Sequence, residues 1–152
     1  MTSRMRLVPL WFVAASVGCA ASQPAMLGVA NGKLAACPSA PHCVSSQAEG
    51  RHAIEPAKFT GSRDEASRKL GEIMRGMPGA RIITETPDYL RAEFSSRVFH
   101  YVDDVEIYVD GRSKLVQFRS SSRNGYFDFG ANRGRIEGIR KKFLAAEAAA
   151  KS

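Results

Sequence analysis

Histidine, cysteine and tryptophan are scarce in this 152-residue chain, with three, three and one of them. No G-x-S-x-G elbow, H-E-x-x-H pair or doubled C-x-x-C occurs, so elbow-type hydrolases, zincins and paired-cysteine zinc sites lack their motif. A spanning helix needs about 20 consecutive apolar residues, and none is present; the run from Leu7 to Gly18 holds 12. Glycine at 13 and proline at 7 are too few for a low-complexity or collagen-like chain. There is no internal repeat and no heptad. Two full domains would each be unusually small at this length, so one domain is expected.

Charge is moderately positive. Lys+Arg 22 against Asp+Glu 15 gives +7. Arg4 and Arg6 precede the uncharged run, and the small, polar residues Ala20 to Gln23 and then Pro24 follow it, which is the pattern of a secretory signal over residues 1–18. Without those two arginines the excess is 20 − 15 = +5. Ser16-Val17-Gly18-Cys19 resembles a bacterial lipoprotein box, with Ser16 where leucine is usual. Cysteine counting points the same way: with Cys19 lipidated, Cys37 and Cys43 remain to pair in an oxidising compartment. Cleavage at a nearby alanine, giving a soluble periplasmic protein, is the alternative. No aspartate follows Cys19, which favours outer-membrane attachment by resemblance to sorted lipoproteins. Residues 19–36 read as a flexible tether, residues 37–146 as the folded domain and 147–152 as a tail.

Cys37-Pro38-Ser39-Ala40-Pro41-His42-Cys43 can close a small ring as a structural clip. A metal or redox site with His42 is the competing reading, and it lacks the spacing and a second ligand pair. Ala66, Leu70, Ile73, Met74 and Met77 recur at helical intervals between Arg63 and Met77, with Asp64 and Glu65 in the first turn and Pro78-Gly79 as the stop. Strand-like runs follow at 80–86, 89–96, 105–109 and 114–120. Leu90, Ala92 and Phe94 alternate with Tyr89, Arg91 and Glu93, and Val105, Ile107 and Val109 with Asp104, Glu106 and Tyr108, which predicts one buried and one wet face. Asp110-Gly111 signals a hairpin. A four-residue loop from Asp110 to Ser113 sets Asp104 opposite Arg119; a two-residue loop moves that pair to a diagonal. Ile136, Ile139 and Phe143, with Leu144, form a second helical stripe. The expected fold is α+β: an antiparallel sheet of about four or five strands with two helices on one face.

The connection from Ser120 to Asn132 is long for a compact domain. Three motifs stand in order: C-P-S-A-P-H-C-V-S-S-Q, F-H-Y-V-D-D-V-E and F-R-S-S-S-R-N-G-Y-F-D-F-G-A-N-R. Together they resemble the family called domain of unknown function 1499 from about Cys37 to Arg140. The resemblance implies an envelope or plastid-type domain with no established activity, and it supplies no catalyst.

The residues themselves leave four readings. Arg119, Arg123, Arg133 and Arg135 crowd the long connection, and a cation in a helix's first turn needs a carboxylate or an anion beside it. In the first reading Asp103, Asp104 and Asp128 supply the charge as a structural ion-pair network with Asp104–Arg119 as a member. In the second, one or two arginines stay unsatisfied, and Arg119, Ser120, Ser122, Arg123, Asp128, Asn132 and Arg133 form a pocket for a lipid headgroup, a cell-wall fragment or an acidic peptide. The third is a hydrolase-type enzyme using His100 beside Asp103. Nucleic-acid binding is weaker still, because export separates the chain from it; Arg140-Lys141-Lys142 reads as a solvated face that adds attraction to an anionic membrane. The sequence names no cofactor and no metal, and its expected partner is the membrane, through an N-terminal lipid.

Overall fold

The computed structural model describes residues 26–95, 101–125 and 127–150. The signal segment, Cys19 and His100 lie outside them.

Eight strands and two helices follow in the order β1 (Val29–Ala30), β2 (Lys33–Leu34), β3 (Cys43–Ser45), β4 (Ala57–Lys58), α1 (Arg63–Arg75), β5 (Ala80–Glu85), β6 (Tyr89–Ser95), β7 (Val102–Asp110), β8 (Leu115–Ser122) and α2 (Ala131–Ala149). The fold is α+β. Its main sheet has six strands, more than the four or five expected, in the order β3-β8-β7-β6-β5, with β4 also pairing β8. All named pairings are antiparallel. The additional strands β3 and β4 are three and two residues long, too short to show a period in sequence.

Helix α1 starts where expected because Ser62 caps it. The Ser62 hydroxyl accepts from the Glu65 amide at 3.2 Å, and the Glu65 carboxylate accepts from the Ser62 amide at 2.9 Å, a capping box. Ala66, Leu70 and Met74 then face inward and are fully buried. They meet Leu90, Ala92, Val105, Ile107, Val116 and Phe118 from the sheet and Ile136, Ile139 and Phe143 from α2 in one core. Close to the last turn of α2, Glu147 is buried and bonded to Lys69 at 2.7 Å, so the expected tail begins inside the fold.

The β7–β8 hairpin pairs Asp110 with Leu115, Ile107 with Phe118 and Glu106 with Arg119. The loop has the four residues expected but runs from Gly111 to Lys114, one residue later than Asp110 to Ser113, which moves every cross-strand partner by two. Asp110 stays in the ladder because its carboxylate accepts from the Arg112 amide at 2.9 Å and the Ser113 hydroxyl at 2.7 Å, while Lys114 takes φ 57° and closes the turn. A shift of two keeps every side chain on its face but changes its partner: Asp104 lies opposite Ser121, and Arg119 opposite Glu106.

Within the stretch read as a tether, residues 26–36 carry the β1–β2 hairpin, and Leu34 is buried. The Gln47 side chain holds this strap, accepting from the Leu34 amide at 2.8 Å and donating to the Gly32 carbonyl at 3.1 Å. Cys37 and Cys43 form a disulfide. Closing a ring of about seven residues is worth about 2.4 kcal/mol in the chain-entropy account. Replacing both cysteines by serine is therefore expected to lower the urea-unfolding free energy by about 2 kcal/mol, and equal midpoints for the two proteins would contradict the clip.

Candidate functional site

Alternation along β8 separates what the sequence presents as one string. Ser120 and Ser122 share the helix-covered face with Val116 and Phe118, whereas Arg119, Ser121 and Arg123 turn to the other face. The residues read together as one pocket therefore divide between the two sides of the sheet.

On the helix side they form a lock at the start of α2. Asn132 is fully buried; its amide nitrogen donates to Ser122 Oγ and Asp128 Oδ2, each at 2.9 Å, and to the His42 carbonyl at 3.1 Å. Its oxygen accepts from the Ser120 hydroxyl and from Arg135. Asp128 also accepts from the backbone amides of Gly130 and Asn132, each at 3.0 Å. Burial opposes its charge, but those amides and the Asn132 side chain outweigh it and hold the carboxyl below the usual range. Asp128 thus caps a helix whose own cap position, Gly130, has no side chain to do so. Arg135 pairs with Asp103 at 2.7 Å and lies over the Phe94 ring at 4.7 Å. Arg133 meets backbone oxygens instead of a carboxylate among the described residues: it donates to the carbonyls of Ala53 and Arg51, each at 2.8 Å.

The other face overturns the expectation of a wet surface. Asp104 and Glu106 are fully buried there, and Arg91, Glu93 and Arg119 nearly so. Asp104 accepts from Arg91 at 2.9 Å and from Arg123 Nε at 2.8 Å, and Glu93 bonds Arg123 and Arg81. The expected Asp104–Arg119 pair does not form. Arg119 instead donates to Glu106 Oε2 at 2.7 Å, because the register sets those two side by side. Glu106 Oε1 accepts from the Tyr89 hydroxyl at 2.8 Å and from the Gly28 amide of the strap at 2.7 Å. Burial raises the Tyr89 phenol, and the neighbouring Glu106 charge adds to it, so Tyr89 remains a donor.

Where the strap crosses this network it borders a surface-open cavity of about 390 Å³. Arg119, Ser121, Ser122, Arg123 and His42 form its polar side; Met26, Ala35, Ala36, Cys37 and Pro38 form the other. Two buried side-chain atoms among the described residues have no hydrogen-bond partner, Nδ1 of His42 and Nε of Arg119, and both residues line this cavity. Sequence reasoning missed Arg91, Glu93, Glu106, Tyr89, Ser121 and His42 in this cluster. Opposite charges falling on the same face of three successive strands were the signal that connects most of them.

Two further openings lie among the described residues. A cleft of about 680 Å³ on the helix side is walled by Met77, Phe94, Tyr101, Phe127 and Phe129, with the Asp103–Arg135 pair inside. A wider groove of about 880 Å³ at the other end of β7 includes Asp64 and Asp110, whose carboxylates are committed to Arg63 and to the turn. Among the described residues no group of three or more His, Cys, Asp or Glu side chains is placed to hold a metal ion. No helix among them is long and apolar enough to cross a membrane.

An α+β domain with a disulfide-clipped strap over a buried arginine–carboxylate network defines a small scaffold with a cation-lined cavity. Residues 33–143 match the family described as "Protein of unknown function (DUF1499)", and the chain belongs to it. No curated protein and no solved structure matches the chain.

Proposed function

We propose that this is a binding module of the cell envelope without catalysis, and that its ligand is a small anion held in the cavity under the strap. The observation that carries the reading is Arg119, a residue of the cavity lining whose buried Nε–H group has no partner in the protein. A guanidinium buried for structure alone is expected to spend its donors on the protein, since each one left over costs about 1–3 kcal/mol. The surrounding carboxylates fix the arginines in place, which is the preorganisation that anion recognition needs. The residues involved are Arg119 and Arg123, with Ser121 and His42. Ser122, whose hydroxyl accepts from Asn132, acts as a support with Ser120, Asp128, Asn132 and Arg133.

The signal-like N-terminus and the disulfide support export. A lipid on Cys19 then holds the domain at a membrane facing the periplasm, the outer membrane by preference; cleavage beside Cys19 leaves it soluble there. The hydrolase reading through His100 concerns a residue outside the described structure.

Native mass spectrometry of the protein extracted from membranes tests this. We expect a diacyl- or triacyl-modified Cys19 and a retained acidic small molecule. The ligand should be lost in the double variant Arg119→Met/Glu106→Gln. The introduced amide keeps an oxygen for Tyr89 and Gly28, and the buried ion pair is exchanged for neutral groups, a replacement that is often close to neutral for stability. A ligand-free mass from every preparation would overturn the binding reading, and an unmodified Cys19 the anchor.

A further inference from the structure

We infer that the cavity under the strap selects a monocarboxylate carrying a short aliphatic body, over phosphate and over neutral molecules of the same shape. The inference rests on the anion-binding reading and narrows it. Charge is the first argument. The buried ion-paired groups on this face are the guanidiniums of Arg91, Arg119 and Arg123 and the carboxylates of Glu93, Asp104 and Glu106; Arg81, which also meets Glu93, is largely exposed and lies outside the cavity lining. Three cations against three anions leave this buried set neutral, so a bound carboxylate adds a single charge. A phosphate dianion would add two, beside carboxylates already desolvated.

Donor count agrees. Arg119 commits Nη1 to Glu106 and leaves Nε–H over. His42 Nδ1 is a second unpartnered buried atom, on another residue of the same lining. Two donors suit the two oxygens of a carboxylate when His42 carries its proton on Nδ1. The strap side is aliphatic: Met26, Ala35, Ala36 and Pro38 offer neither the aromatic platform nor the hydroxyl groups a sugar would use. About 390 Å³ lies at the small end of ligand cavities, so the body is short.

The test titrates sodium butyrate, inorganic phosphate and 1-butanol separately into the full chain in maltoside micelles. The readouts are the ¹⁵N-detected Arg119 Nε–H resonance and calorimetry. We expect butyrate to shift that resonance and to bind at least tenfold more tightly than phosphate or 1-butanol. Arg119→Met/Glu106→Gln should lose the resonance and at least tenfold in butyrate affinity while its circular dichroism is unchanged. Ala36→Leu, which leaves the arginine network intact, should weaken butyrate several-fold more than acetate. Phosphate binding more tightly than butyrate with the same resonance shift overturns the carboxylate assignment and leaves the anion site standing. If no probe moves the resonance, and it instead shows exchange with a bound water, both readings fall.

Discussion

Asp104→Asn is expected to cost the protein roughly 3–5 kcal/mol, a large part of the 5–15 kcal/mol that a domain commonly has. Asp104 has no exposed side-chain surface and accepts from both Arg91 and Arg123. Asparagine keeps one acceptor but turns an amide toward Arg123 Nε, placing donor against donor with one buried positive charge uncompensated. Arg123→Met in the same chain should recover much of the loss, because the pair is then removed together rather than broken. The same carboxylate sets an acid limit. Burial by itself would raise the Asp104 carboxyl, but hydrogen bonds from Arg123 and Arg91 outweigh it and hold the group below the usual range. Glu93 is depressed in the same way by Arg123 and Arg81, and Glu147 by Lys69 and Thr60. Groups depressed in the folded state add stability that is fully present above their unfolded pKa, about 4, and lost as pH falls through the folded value. Urea midpoints should therefore be level in this respect from pH 7 to about 5 and drop steeply below about 4, and Asp104→Asn should flatten that drop. An acid limb equally steep in the variant would place the linkage elsewhere.

What the sequence reveals and what it hides follow from the same rule. Alternation in Tyr89–Ser95 and Val102–Asp110 assigns each residue to a face, and Leu90, Ala92, Val105 and Ile107 are in the core as that rule requires. It cannot say whether a second layer covers the polar face. That layer is the strap, built from small residues with no period of its own, and its Gly28 amide reaches Glu106 across 78 positions of sequence. Register was lost at the turn: the four-residue loop runs from Gly111 to Lys114, with Lys114 in the left-handed region, one residue later than expected, and this moves Arg119 from Asp104 to Glu106. The long connection reads as one site because its residues are consecutive, yet adjacent strand positions point apart, so Arg119 and Ser120 end on different sides. The α1 stripe and the Cys37–Cys43 ring were legible because each depends on local spacing alone.

Asn132 joins the two sides, and its removal is the second large effect. Its side chain has no exposed surface and ties Ser120 and Ser122 of β8, the carbonyl of His42, and Asp128 into one cluster. Alanine leaves several of those buried groups unpaired, a loss of about 2–4 kcal/mol when unsatisfied groups cost about 1–3 each and some find water. That corresponds to a melting temperature lower by roughly 10–25 °C for a domain of this size. The effect should be local as well as global. The Ser122 amide, which bonds the His42 carbonyl at 3.1 Å, and the Asn132 amide, which bonds Asp128 at 3.0 Å, should lose hydrogen-exchange protection before the centre of the sheet does. Because the lock grips His42 by its backbone, loosening it also frees one wall of the cavity from Arg119. Asn132→Ala should therefore weaken butyrate binding several-fold at a temperature where the variant is still folded. Unchanged melting and unchanged protection at residue 122 would mean that Asp128 and the backbone hold the helix start by themselves.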